Sequence, residues 1–188
     1  MHIIKFLELK KITLLLLGLV LGTSSFAQTS LFSDDFESGV VAWTLSVTGT
    51  NGWVVNDIYA GFQPLISDTP DQPSQISTNP QSNYLHVMNS DVCSQLSVCN
   101  ANYDAGTAST SYAEMANALN TTNYLNTTIS FWWLCVGAAG NSYGELEYST
   151  DNGTSWTSTG TEYSATGTWT QESVNLPAFK NAVEFPSE

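Results

Sequence analysis

The stretch ISFWWLCVGAAGNSYGELEYSTDNGTSW, Ile129–Trp156, carries most of the information that decides the fold. Its first eight residues are apolar at both alternating sets of positions: Ile129, Phe131, Trp133 and Cys135 on one side, Trp132, Leu134 and Val136 on the other. Side chains alternate faces along a strand, so this one is expected to be central, with something covering each side. One face can pack between two sheets; the other must meet a loop, a partner or a ligand. The remainder, from Gly144 onward, reads as a β-hairpin. Asp151 can accept hydrogen bonds from the amides just beyond it, Ser149 can bond back to Asp151, Gly153 can supply a positive φ, and Trp156 can fold onto the core.

Working outward, no ten-residue stretch after residue 27 shows helical periodicity, and YAEMANAL (Tyr112–Leu119) is too short and too closely flanked by Ser and Thr to form one. Short β-rich runs instead alternate with Gly, Asn, Asp, Ser and Pro clusters, the pattern of an all-β sandwich or barrel. The expected strands are Leu31–Phe36, Trp43–Val47, Trp53–Asn56, Tyr84–Met88, Ser111–Asn117, Thr128–Val136, Gly144–Ser149, Ser155–Thr159, Thr168–Val174 and Ala182–Phe185. Gln63–Asn83, with Pro64, Pro70, Pro73 and Pro80, reads as a long surface loop within one domain.

The chain opens with Lys5, Lys10 and Lys11, an apolar run from Ile12 to Gly22, and the small-residue exit Ser25-Phe-Ala27. That is the plan of a secretory signal peptide occupying 1–27, with Gln28 as the new terminus and a secreted or cell-surface destination. The apolar run is too short for a comfortable membrane span, and nothing after it resembles one. Residues 28–188 then form one domain carrying sixteen carboxylates against Lys180 alone, a formal charge of −15, with no arginine anywhere. Such a surface cannot neutralise phosphates, which excludes nucleic acid and leaves cations and neutral ligands.

Three cysteines would enter an oxidising compartment. Cys93 and Cys99, both in polar surroundings, are expected to pair across five intervening residues, leaving Cys135 as a small core residue of its strand. Asp35 and Glu37, in SDDFESG, offer hard oxygens on one side of the first expected strand and are the candidate calcium ligands. His86 is the only imidazole after residue 27 and has no nucleophile elbow to serve. Glu145 and Glu147 project from one face about 7 Å apart, a separation that suits a pair of glycosidase carboxylates. A solvated outer face opposite Leu146 and Tyr148 is the plainer account of them.

Two resemblances follow from these residues. Ser149-x-Asp151-x-Gly153-x-x-Trp156 is similar to the aspartate box of sialidases, but those enzymes hold a substrate carboxylate with arginines, and this chain has none. The hairpin is therefore shared without the chemistry. Glu145-x-Glu147 is similar in part to the Glu-x-Asp-x-Glu strand of jelly-roll glucanases, with Ser149 where the third acid would stand. More broadly, DDFESGVVAW, NGWVV, YLHVMN, the Thr127–Thr157 segment and GTWTQESVNLPAF, in that order, resemble the MAM-like, concanavalin-like jelly-roll domains of secreted Bacteroidetes proteins, akin to the cleaved-adhesin domains of gingipains.

The resemblance implies a two-sheet antiparallel jelly-roll sandwich, a non-catalytic module for adhesion or for binding an extracellular glycan or protein, and calcium near the first strand. It also implies that KNAVEFPSE precedes a further strand the domain lacks, which would leave Leu31–Phe36 as an exposed edge. Trp132 is the candidate ligand-binding residue, because one face of its strand needs a cover. The competing expectation is a glycoside hydrolase acting through Glu145 and Glu147.

Overall fold

The computed structural model describes residues 28–121, 123–124, 126–176 and 183–187, the last five through their main chain. The expected signal peptide, 1–27, lies outside the described residues. The elements are β1 (Trp43–Thr48), β2 (Asn51–Asn56), β3 (Tyr84–Asn89), α1 (Ser90–Leu96), β4 (Ser111–Met115), β5 (Thr127–Cys135), β6 (Gly144–Tyr148), β7 (Thr157–Tyr163), β8 (Thr166–Leu176) and β9 (Val183–Ser187). All strand pairs are antiparallel. Seven strands, in the order β3-β2-β1-β4-β9-β6-β7, make one sheet that curls into a half-barrel, and β5 and β8 make a second. The protein is all-β, as its turn-punctuated sequence requires.

The core lies where the two sheets meet. Leu146 of β6, Tyr163 of β7 and Leu176 of β8 are almost fully buried, and Ile129, Phe131 and Trp133 of β5 pack against them. Each such aliphatic side chain contributes about 2 kcal/mol by leaving water. Phe131 and Trp133 meet the Tyr163 ring edge-on, at 5.4 and 5.0 Å between centroids. The odd-numbered face of β5 is thus the core face.

Two expectations need correction. Leu31–Phe36 is not a strand: the chain turns there, and Phe36 takes a positive φ of 62°. Asp34 accepts the Phe36 amide at 2.8 Å and the Trp43 indole N–H at 2.8 Å, while Asp35 accepts the Glu37 amide at 3.1 Å. Short acids that bond the backbone two residues on favour turns over sheet ladders. With no strand there, the expected exposed first-strand edge does not arise. Nor is β5 central among the described residues, for β8 is its one paired strand.

The loop between β2 and β3 is fixed by buried polar side chains. Tyr59 Oη donates to the Ser82 carbonyl at 2.8 Å and accepts from Gln72 Nε2 at 2.7 Å, while Tyr84 Oη donates to the Ile58 carbonyl at 2.8 Å. Burial pushes the Tyr59 hydroxyl up to about 12. Helix α1, which the sequence reading did not foresee, is capped by Asn89, whose Oδ1 accepts the Asp91 and Val92 amides. It ends at Ser97 in the left-handed region. Cys93 and Cys99 are bonded across that end with their Cα atoms 4.5 Å apart, and Cys135 is a free thiol.

Candidate functional site

The outward face of the β5–β8 sheet is built from cross-strand pairs. Thr128 stands opposite Asn175, Ser130 opposite Ser173, and Trp132 opposite Gln171. Thr128 Oγ1 donates to Asn175 Oδ1 at 2.7 Å, and the hydroxyls of Ser130 and Ser173 lie 3.0 Å apart. Directly opposed residues sit about 5 Å apart and successive pairs on a face about 7 Å apart, so the strip presents hydroxyls, amides and an indole in a row. Its polar members are exposed and Trp132 is half-buried. Because Phe131 and Trp133 point to the core, alternation turns Trp132 away from it.

Beyond Trp133 the register shifts before Cys135 pairs with Thr166. The adjoining end of β8 is tied to the other sheet and to the β2–β3 loop. Trp169 meets the Tyr84 ring edge-on at 6.2 Å, and its Nε1 donates to the Pro70 carbonyl at 2.9 Å. These contacts hold the strip against the body of the protein.

The carboxylates lie elsewhere. Glu145 and Glu147 stand on the face of β6 opposite Leu146, and the Glu145 carboxylate accepts the Ser158 hydroxyl. Glu114 of β4, Glu184 of β9 and Glu147 share one register across three adjacent strands, a row hidden from local sequence reading. Asp35 and Glu37 are not gathered into a cage: Glu37 accepts the Asn83 amide at 2.9 Å and its Nδ2 at 3.3 Å, and Asp35 is used in its own turn. Among the described residues no three His, Cys, Asp or Glu side chains group as metal ligands. A separate groove of about 220 Å³, lined by Leu45, Val47, Val54 and Met88, lies on the β1–β3 end of the large sheet.

The hairpin expected from Gly144 onward closes largely as its residues suggest. Asp151 Oδ1 accepts from Ser149 Oγ and from the Ser155 amide, both at 2.8 Å, and Gly153 has a φ of +81°. Trp156 differs: its ring lies beside Gly153, outside the Leu146 cluster. These hydrogen bonds, led by that from Ser155 Oγ, lower the Asp151 carboxyl to about 2. The contribution of this carboxylate is therefore present above pH 4 and is lost as pH falls through about 2. An NMR titration should place the Asp151 midpoint near 2, and Ser155→Ala should move it back toward 3.8. A wild-type midpoint near 3.8 would mean that the turn does not close in solution.

Comparison with known proteins found no matching family model, curated protein or solved structure. Among the described residues no helix is long and apolar enough to cross a membrane.

Proposed function

We propose that the protein is a secreted or cell-surface jelly-roll module of the MAM-like kind, which binds a neutral extracellular glycan, or a protein bearing one, through the Trp132 face of β5–β8. The observation that carries this reading is the position of Trp132 at the end of a row of exposed hydroxyls and amides. An indole ring packs on the apolar face of a pyranose, while Gln171, Ser173 and Asn175 are placed to exchange hydrogen bonds with its hydroxyls. A net negative charge and the absence of arginine favour a neutral ligand over an anionic one. The Cys93–Cys99 bond fits an oxidising compartment, as does the sequence of residues 1–27. A core shared by both sheets fits a sandwich. Calcium is no part of this reading.

Glycan-array binding with and without Trp132→Ala tests it. Loss of this half-buried stacking aromatic should weaken binding at least about 10-fold, the equivalent of about 1.4 kcal/mol, whereas Glu147→Gln should bind as wild type does. Glycan turnover abolished by Glu147→Gln would replace recognition with hydrolysis, and binding untouched by Trp132→Ala would remove this face from the site.

A further inference from the structure

The dipeptide Asn-Gly occurs twice in the chain, as Asn51–Gly52 and as Asn152–Gly153. It is the pairing most open to spontaneous deamidation, because glycine has no Cβ to shield its own backbone nitrogen from the preceding carboxamide. In that reaction the glycine nitrogen, having given its proton to solvent, attacks the asparagine Cγ. The N–Cγ bond forms, the Cγ–Nδ2 bond breaks, and the side-chain nitrogen takes up a proton and leaves as ammonia. Water then opens the succinimide ring at either carbonyl, giving aspartate or its isomer isoaspartate, and nothing is oxidised or reduced. The fold puts the two dipeptides in opposite surroundings.

At Asn51 the carbon that would be attacked is fixed. Asn51 is 6% exposed and opens β2, which pairs with β1 on one side and β3 on the other. Its Nδ2 donates to the Asp104 carbonyl and to Ser109 Oγ, both at 2.9 Å, and its Oδ1 accepts the Asp104 amide at 2.7 Å. Turning this carboxamide onto the Gly52 nitrogen would break these bonds in the interior, where unmade polar contacts are costly.

At Asn152 the nucleophile is held instead. Asn152 is exposed, in the turn between β6 and β7, with a left-handed φ of 65°. The Gly153 amide donates to Ser149 Oγ at 2.8 Å. That hydroxyl is itself anchored, since Ser149 is 1% exposed and its Oγ donates to Asp151 Oδ1 at 2.8 Å. Exposed turns open locally at a far smaller free-energy cost than strands paired on both sides. Each opening of this one frees the Gly153 nitrogen beside a solvated carboxamide.

We propose that Asn152 is a spontaneous modification site of this protein, converting to aspartate and isoaspartate at a rate held down by the Ser149 hydroxyl, while Asn51 stays intact. Either product adds a carboxylate next to Asp151, in a region, residues 28–188, whose formal charge is already −15. Isoaspartate also carries the main chain through its own Cβ. The added methylene takes the Gly153 and Ser155 amides away from their acceptors on Ser149 and Asp151, so the turn loosens as the protein ages. Ser149 thus slows a reaction that its own hairpin invites. The inference stands independently of the glycan reading, since it uses neither Trp132 nor a ligand.

The test is to incubate the purified protein at mildly alkaline pH, folded and in urea, and to follow the amide-to-acid mass gain at each asparagine by peptide mapping. In urea both Asn-Gly sites should convert. In the folded protein Asn152 should convert at least about 10-fold faster than Asn51, as local opening of an exposed turn against a paired strand requires. Ser149→Ala should raise the folded rate at Asn152 at least about 3-fold, the effect of losing one ordinary hydrogen bond. Ser155→Ala, which leaves the Gly153 amide its acceptor on Ser149, should raise it less. Folded protein that converts at Asn51 as fast as at Asn152, or at neither, overturns the site. A Ser149→Ala rate equal to that of wild type or of Ser155→Ala, or one that rises equally at Asn51, overturns the role of the hydroxyl.

Discussion

Gly137→Ala is expected to lower stability by about 3 kcal/mol or more, at the upper end of what overpacking a closed site costs. Gly137 is buried two residues beyond the end of β5, in the loop that returns the chain to β6. A Cβ there would overlap the Ser142 carbonyl oxygen and lie 2.8 Å from its carbon and 2.9 Å from Tyr103 Oη. Two of these atoms are backbone and cannot rotate aside. Relief would require moving the loop, which is itself closed by the Ser142 amide on the Ala138 carbonyl at 2.8 Å and by the Ala165 amide on the Gly137 carbonyl at 2.8 Å.

The second of those bonds ties the end of β5 to the turn between β7 and β8, so the displacement should also disturb how the Trp132 strip is presented. Urea unfolding measures the first effect and glycan binding the second. Gly144→Ala is the matched control, because a Cβ there meets only the Tyr163 Cβ, at an ordinary 3.8 Å. It should change stability by less than about 0.5 kcal/mol. Equal midpoints for the two variants would show that the loop yields where its packing says it cannot.

The sequence exposed some levels of this architecture and concealed others. Strands were legible wherever β-branched and aromatic runs met turn residues, and expected boundaries such as Tyr84–Met88 and Gly144–Ser149 fall within a residue or so of the observed ones. That Trp132 lies opposite Phe131 and Trp133 was implied by alternation, but which of the two faces is the core's was not. Nor were the polar neighbours of Trp132, since Gln171 and Ser173 come some forty positions later and only register brings them alongside.

The same limit explains the reading of β5 as central: an apolar pattern reports covered faces and says nothing about how many edges are paired. The expected strand Leu31–Phe36 failed for a different reason: Asp34 and Asp35 each accept an amide two residues on, and a local pattern does not separate a short strand from a turn closed by carboxylates. The seven-residue helix α1 is too short for a period to show.

Acidification between pH 6.5 and 4 should cost the fold about 3 kcal/mol through His86 alone, given about 1.4 kcal/mol for each unit separating its folded and unfolded values. His86 is buried on β3, stacked on Tyr84 with ring centroids 4.2 Å apart. Its Nε2 lies 3.1 Å from Asn56 Oδ1 and its Nδ1 3.3 Å from the Val87 carbonyl, both oxygens that can only accept, and the neutral ring donates to one of them at a time. Burial disfavours the imidazolium and lowers the group from 6.5 to about 4, against a smaller opposing pull from the Val87 carbonyl.

The sign follows from proton counting. Between pH 4 and 6.5 the unfolded chain binds the proton and the folded one does not, so stability is full above 6.5 and is lost as pH falls through about 4. His86→Phe keeps a ring against Tyr84 and leaves Asn56 Oδ1 still accepting the Ile58 amide at 2.9 Å. Unfolding midpoints of that variant should vary little across this window while those of wild type climb with pH. Parallel curves for the two proteins would assign the acid sensitivity to the carboxylates and show that the imidazole titrates alike in both states.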